Sequence, residues 1–578
     1  MGRTFFIVVV VALSLVSRAF AQGGNSSTLL MPGVTYTRQV EFTAHGPVVF
    51  HIITAPKPGG LYSLQPVLST GTIVGRERVT DMEKDVSATA TVAGVNGDLF
   101  TWADGHPSGV LIRNGVLDHP PLAGRTSIGI GSDGMLHLDR VQYDGYWKGS
   151  GMRRPLGLND PPATNGVSLF TPAYGPATPA MPNGGTEVVL QTFPSATPNT
   201  DLLGVVASST ATHGATPIAA GTAVLQARGT GATAVQQEAP VGSSVTVHLT
   251  LTPGWQGIAN ALGGGPLIVA NGRAIFRANE LFTTSQLTPR DPRTAIGQKA
   301  DGSLILVAVD GRQNGYSVGV TNYDLAVAMK SFGAVWASAL DSGGSTTMAF
   351  DGTLLNRPSD PGGERAVADA LLVEYTGVYE PPPSTPALSP NGDNVDELQS
   401  LSYKLVRPSN VQAVLVAPDK TTRTIDSGAR APGVYTFTWT GKAADGTLEP
   451  EGTWHFTVTA TDDQGQTSTA DRSFVLDNTV GFLTVQPSPL VLRPQGTKLT
   501  ASFTLIRPAK VTVSIETSVG IVVKTILNGT VPAGPFALTW AGKDGSGRLA
   551  FGGAYRVHVS ATNDVGTVDL FAPFTAHR

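Results

Sequence analysis

The sequence predicts an α+β domain built on a mixed β-sheet, followed by two all-β sandwiches. Two observations carry the reading. The first is a repeat. LSYKLVRPSNVQAVLV (Leu401–Val416) returns as ASFTLIRPAKVTVSI (Ala501–Ile515), FTWTGKAADG from Phe437 matches LTWAGKDGSG from Leu538, and GTWHFTVTATDDQG matches GAYRVHVSATNDVG. The offset stays near 100 residues, so one domain occurs twice. Each copy alternates apolar and polar residues between closely spaced turn signals and keeps one tryptophan, Trp439 or Trp540, as a β-sandwich requires.

The second observation lies upstream. SLILVAV (Ser303–Val309) is an apolar run of strand length, rich in β-branched residues, that stops at Asp310. Thr321 then stands three residues before Asp324, the spacing of a capping box. Leu325, Ala328, Met329 and Phe332 fall on one helical face, and Gly333 closes the helix. AVWASAL (Ala334–Leu340) is the next strand and ends at Asp341. Such a strand–helix–strand unit has parallel strands, so Asp310 and Asp341 are expected at the same edge of the sheet, at carboxyl ends where ligands bind.

Bulk properties bound the rest. A chain of 578 residues exceeds one core, and 41% hydrophobic residues are enough to fill several. The 68 glycines and 41 prolines favour many short strands over long helices. A formal charge of −4 gives no reason to expect nucleic acid or an anionic membrane as partner. At the N-terminus Arg3 precedes an apolar run from Phe5 to Val16 and then Ala19-Phe20-Ala21, the pattern of a signal peptide over residues 1–21. A secreted protein, extracellular or periplasmic, with no membrane span is expected; having no cysteine, it would rest on core packing alone. Residues 22–379 form one unit with a β-rich N-terminal part, 380–396 a stiff proline-rich linker (PPPSTPALSP), and 397–480 and 481–578 the two sandwiches. RTSIGIGSDGMLHL from Arg125 is echoed by RTAIGQKADGSLIL from Arg293, through duplication or through repeated use of one strand–turn–strand pattern.

The stretch LDSGGSTTM from Leu340 places a carboxylate beside two glycines, which let a ligand approach the backbone. Arg293, Arg312 and Arg365 lie near it in sequence, and Arg125 sits in the echoed element. Arginine recognises phosphate or carboxylate with a planar fork, so acids and arginines together suggest an anionic, phosphorylated substrate cleaved with carboxylate help.

From Asn96 to about Tyr375 the chain resembles the phosphodiester glycosidase family, which includes the uncovering enzyme N-acetylglucosamine-1-phosphodiester α-N-acetylglucosaminidase. The resemblance rests on VNGDLF (Val95), GGGPLIV (Gly263), PRTAIG (Pro292), VDGRQNGYSVGVTNYDLAVAMKSFGA (Val309), LDSGGSTTM (Leu340) and LNRPSDPGGERAVADALLV (Leu355). It implies an α+β catalytic domain that hydrolyses a sugar–phosphate diester at the anomeric carbon, releasing the sugar and a phosphomonoester. It carries over Asn96, Arg293, Asp310, Asp341, Gly343, Gly344, Ser345 and Arg365 as site positions. Asp310 and Asp341 are expected to do the carboxylate work, and Asn96, Arg125, Arg293, Arg312, Gly343, Gly344, Ser345 and Arg365 to bind substrate. Three positions depart from the family pattern: Asp98 and Ser342 stand where glycine is usual, and Asp324 where glutamate is frequent. The two repeats resemble the Ig-like domain of flagellar hook-capping proteins, for which SPNGDNVDE (Ser389–Glu397) is a familiar lead-in.

Simpler readings stand beside these. Asp310-Gly311 is also a turn pair, Ser345 lacks a nucleophile elbow, and His106 reads as a loop histidine or a distant partner of Ser345. No cofactor is required; calcium or magnesium at Asp310 and Asp341 stays open, while Asp393 and Asp396 read as a linker turn or a calcium site. The expected partner is a glycosyl phosphate or phosphorylated glycan, with cell-surface or matrix association through the Ig-like domains. The alternative is a non-catalytic carbohydrate-binding or adhesion protein built on an inactive glycosidase-like domain.

Overall fold

The computed structural model describes residues 25–276, 278–496 and 498–578, so the signal-peptide segment lies outside the described residues. The molecule is mostly β: 50% strand against 7% helix. The α+β expectation therefore holds only loosely, because the helices are short and each covers one patch of a sheet.

The central sheet has eight strands. Its middle runs Gly46–Ala55, Leu304–Val309, Arg293–Gln298, Trp336–Ala339 and Leu267–Ala270. Alternation along Leu304–Val309 explains why that run is apolar at every position. Leu304, Leu306 and Ala308 pack toward the second sheet with Val95, Leu371 and Val373. Ile305, Val307 and Val309 pack on the opposite face against Leu325 and Met329 of the helix Asn322–Ser331. A strand buried on both faces has no polar side to show. Thr321 and Asp324 form the capping box at the start of that helix, and Gly333, at φ 99°, follows its end.

The strands before and after this helix do run in the same direction, but they are not neighbours. Arg293–Gln298 lies between them, antiparallel to both. The ends bearing Asp310, Arg293 and Asp341 consequently share one edge of the sheet, on three adjacent strands.

A five-stranded sheet covers the other face and contains Thr91–Asn96 flanked by Met348–Phe350 and Asp369–Tyr375. A further eight-stranded sheet, built entirely from residues 142–252, has its own core around Trp147, Leu190 and Leu225. The echoed RTSIG and RTAIG segments are both hairpins (Ser127–Gly131 with Leu136–Asp139, and Arg293–Gln298 with Leu304–Val309). Gln298 joins them, accepting from the Leu136 amide and donating to the Gly134 carbonyl.

The repeats are two sandwiches, with Trp439 packed on Trp454 and Phe474 in the first and Trp540 on Tyr555 and Phe574 in the second. The proline-rich segment is less free than a linker. Ala387–Leu388 adds a parallel strand to Thr467–Leu476, and Gln399 ties down Ser384 and Thr385. Asp393 accepts from the amides of Val395 and Phe482, as a turn former does. Among the described residues no helix is long and apolar enough to cross a membrane.

Candidate functional site

The site forms where the two sheets meet end to end. Thr91–Asn96 finishes at Asn96, which is fully buried. Its side-chain amide donates to the Asp341 carbonyl at 3.0 Å and its carbonyl oxygen accepts from Thr294 Oγ1 (2.7 Å) and the Thr347 amide (3.1 Å). In return the Asp341 amide donates to the Gly97 carbonyl at 3.0 Å. Asn96 therefore joins three strand ends rather than reaching for substrate.

This junction gathers three carboxylates. Asp341 comes from the central sheet, Asp98 follows Asn96, and Asp369 opens the antiparallel strand beside it, where its Oδ1 accepts from the Asp98 amide at 2.7 Å. Asp98 and Asp369 are buried, and both Asp98 oxygens and Asp369 Oδ2 lack a hydrogen-bond partner of ordinary geometry. Burial pushes the Asp98 carboxyl up to about 7, against the pull of Arg125 and of the Leu99 and Gly109 amides. Burial and the charges of Asp98 and Asp341 hold Asp369 well above the ordinary range. Asp341 is raised by burial too, but Ser345, the Ser342 amide, Arg365 and Arg125 oppose the rise. Asp341 is the member of the three that faces a cavity of about 240 Å³, also lined by Arg293, Arg312, Ser342 and Gly343. A larger apolar groove, about 600 Å³, adjoins it through Pro266, Phe282 and Leu287 and continues past Phe276 and Tyr323.

Two arginines face the acids. Arg125 is buried, stacks 4.4 Å from the Phe282 ring centre, and leaves its Nε without a partner. Arg365 grips Asp360 with two parallel hydrogen bonds (2.8 and 3.0 Å), donates to Ser345 Oγ at 3.2 Å and lies 4.9 Å from the Trp102 ring centre. The loop glycines fit this packing. Gly343 adopts φ 67°, and a Cβ on Gly344 would stand 1.9 Å from Arg365 Nη2. Ser345 is buried and serves Arg365 and Asp341 as a hydrogen-bond partner.

Three other expected residues are placed differently. Arg293 lines the cavity, but its guanidinium already donates to the carbonyls of Val320, Gln286, Leu287 and Pro289 and to Ser342 Oγ. Its fork holds the 286–290 segment in place and has no open pair of donors for a phosphate; burial lowers its pKa. Arg312 is half exposed at the rim and paired to Asp291 at 2.8 Å. Asp310 is not among the residues lining the cavity. Its carboxylate accepts from His51 Nε2 (2.8 Å), Tyr316 Oη (3.0 Å), Asn356 Nδ2 (3.1 Å) and the Arg357 amide (3.0 Å). A carboxylate so surrounded by donors has its lone pairs occupied and offers none to a calcium or magnesium ion. Asp310 and Asp341 thus share a sheet edge, but only Asp341 lines this cavity. Asp310 acts through Asn356, which also donates to the Thr346 carbonyl and accepts from the Met348 amide, so it fixes the loop after Asp341.

Sequence reasoning passed over Asp369, and treated Asp98 only as a departure from pattern. One signal was available: each is a carboxylate at the end of an apolar strand, as Asp341 is. The pairing of Arg125 with Phe282 had no such signal, since the two are joined only by the fold.

Three carboxylates and two arginines thus gather at this junction of strand ends. Residues 198–374 match the phosphodiester glycosidase family model, and residues 399–464 and 491–564 match the FlgD Ig-like domain model. The chain thus carries a phosphodiester glycosidase domain followed by two FlgD Ig-like domains. Arg293, Asp341, Arg365 and Asp369 fall inside the first match, whereas Asn96, Asp98 and Arg125 precede it. The SPbeta prophage-derived uncharacterized protein YomE of Bacillus subtilis (strain 168) is 38% identical over 120 residues, 21% of this chain and 18% of that protein. The chain therefore spans under a fifth of this curated relative. A hypothetical protein from Synechocystis has the same fold over 61% of this chain and 64% of its own, at 24% identity and a TM-score of 0.51. The catalytic domain of zebrafish N-acetylglucosamine-1-phosphodiester alpha-N-acetylglucosaminidase, auto-inhibited by its pro-peptide, aligns over 60% of this chain and 87% of its own, at 15% identity and a TM-score of 0.32.

Proposed function

We propose that this protein is an exported hydrolase that cleaves the glycosidic bond of a sugar-1-phosphodiester of the GlcNAc-1-phosphodiester type. The observation that carries the reading is the set of three carboxylates beside Arg125 and Arg365, with Asp341 alone open to the cavity. The family match over residues 198–374 supports the reaction class.

In this reaction the bond from C1 to the phosphate oxygen breaks, and water supplies the new oxygen at C1. The leaving group is a phosphomonoester whose second pKa is about 6, so it departs with little protonation. Arg125, whose Nε has no partner, lends positive charge beside the acids, while Arg365 is held by Asp360 and Ser345 and positions the loop. Asp341 stabilises the oxocarbenium-like carbon or takes the proton of the incoming water. Asp98 and Asp369, buried behind it and short of donors, hold protons near neutrality and keep Asp341 the ionised member. The Phe276–Tyr323 groove suits an apolar or ring-bearing aglycone.

The test is hydrolysis of a GlcNAc-1-phosphodiester in oxygen-18 water. Label in the released sugar is the expected result. Label in the phosphate would move the reaction to phosphorus, and no turnover across a set of glycosyl phosphodiesters would overturn the proposal.

A further inference from the structure

Away from the acid cluster, two buried histidines point at one carboxylate. His106 follows the Asp98 segment, His119 ends the strand Val116–His119, and Asp160 follows the strand Gly157–Leu158. His106 Nε2 lies 3.1 Å from Asp160 Oδ1, and His119 Nε2 lies 3.5 Å from Asp160 Oδ2. Both rings are more than nine-tenths buried, and neither Nε2 has a hydrogen-bond partner of proper geometry.

The tautomer of His119 sharpens the point. Its Nδ1 lies 2.6 Å from the Gly109 carbonyl, which can only accept, so Nδ1 carries the proton. With Nδ1 engaged on that carbonyl, Nε2 is the atom left to face the Asp160 carboxylate, and whenever it carries a lone pair it meets a second acceptor there. A cation between them removes the conflict, and the same Nδ1 bond would orient and strengthen the ligand.

We propose that His106, His119 and Asp160 bind one divalent transition-metal ion, with zinc as the natural occupant. Two imidazoles and a carboxylate suit zinc, whereas calcium and magnesium favour all-oxygen ligand sets. Tetrahedral zinc, with bonds of about 2.0–2.2 Å, separates its ligand atoms by about 3.4 Å. The two histidine nitrogens stand 3.1 and 3.5 Å from different oxygens of Asp160, and one ligand atom from each residue lies within 4.8 Å of the others, so binding would draw the three slightly closer. The site is braced: Asn159 Nδ2 donates to the Asp118 carbonyl at 2.7 Å, and Asn159 Oδ1 accepts from the Thr171 amide, which fixes Asp160 beside the His119 strand. Asp160 is half exposed, so a fourth position opens toward solvent for a water ligand.

The ion would pin the segment between Asp98 and His119, which carries Trp102 under Arg365, to the inserted sheet at Asp160. It is a positioning site and takes no part in the chemistry proposed above, so the two proposals stand or fall separately.

The experiment uses the full secreted chain, purified without a histidine tag and stripped with a chelator. Titration with cobalt(II) should give the visible absorption of a four-coordinate ion at one equivalent, abolished by one equivalent of zinc. Zinc should raise the melting temperature of the stripped protein. Both effects should be lost in His106→Gln and in Asp160→Asn, the second a half-exposed position where folding is expected to survive. No cobalt band at one equivalent would overturn the site, as would a zinc-induced shift that persists in Asp160→Asn. If metal has no effect and Asp160→Asn loses stability only at acidic pH, the cluster is a protonated-histidine ion pair and the proposal fails.

Discussion

Asp310 and Asp341 end two strands that run the same way in one sheet, yet they have opposite surroundings. Asp310 sits among four donors, from His51, Tyr316, Asn356 and the Arg357 amide, and does not line the cavity that Asp341 faces. Asp341 keeps one firm hydrogen bond to a backbone amide, faces open space, and has two under-supplied carboxylates behind it. Topology alone does not make a catalytic acid. What separates the two is the supply of donors, because a carboxylate whose lone pairs are filled by neighbours has none free to turn toward a ligand.

The comparison breaks most sharply at Asp310. Asp310→Ala strands several buried donors at once, so a stability loss of about 3 kcal/mol or more is expected in denaturant unfolding. A nearly unchanged midpoint would show that the donor shell is not structural. Asp341→Asn should do the reverse: the unfolding midpoint stays nearly constant while kcat falls roughly 100-fold, about 2.7 kcal/mol of transition-state stabilisation, with less effect on KM. Normal turnover in a folded Asp341→Asn protein would falsify its role.

A smaller effect is expected at Asp98. Its carboxyl rises from 3.8 to about 7 on folding, so between those values the folded state binds more protons than the unfolded state. Stability then falls as pH climbs through that window and levels off above about 7. Asp98→Asn should flatten the decline, with its gain in stability largest at pH 8 and little near pH 4. A parallel pH profile in the variant would place the titration elsewhere.

The smallest effect concerns the tail. The first sandwich is bonded to the N-terminal part of the chain, with Lys404 Nζ donating to Ser87 and Asp351, and Arg472 donating to the carbonyls of Leu29 and Leu30. Removing only residues 481–578 leaves those bonds intact, and kcat/KM should change by less than about 2-fold. A larger loss would give the second sandwich a part in substrate capture.

Period and repetition were legible in the sequence because they are local properties. The continuous apolar run Leu304–Val309, the Thr321–Asp324 cap, the glycines after Asp341 and the two sandwich copies can each be read within a few residues or by matching one stretch to another. The strand Arg293–Gln298 between the two parallel strands could not be read that way, since a period-2 pattern fixes a strand's faces but not its neighbours. Nor could the fates of the charged residues. Asp310, Asp341 and Asp369 all end or begin apolar strands, and Arg125 and Arg293 open similar hairpins. The fold alone brings His51 and Asn356 to Asp310, fills the Arg293 fork with backbone carbonyls, and leaves Arg125 on Phe282 with a free Nε. A side chain's chemistry depends on which donors, acceptors and charges lie within a few ångströms, and at this site those partners come from segments up to 271 positions away in the chain.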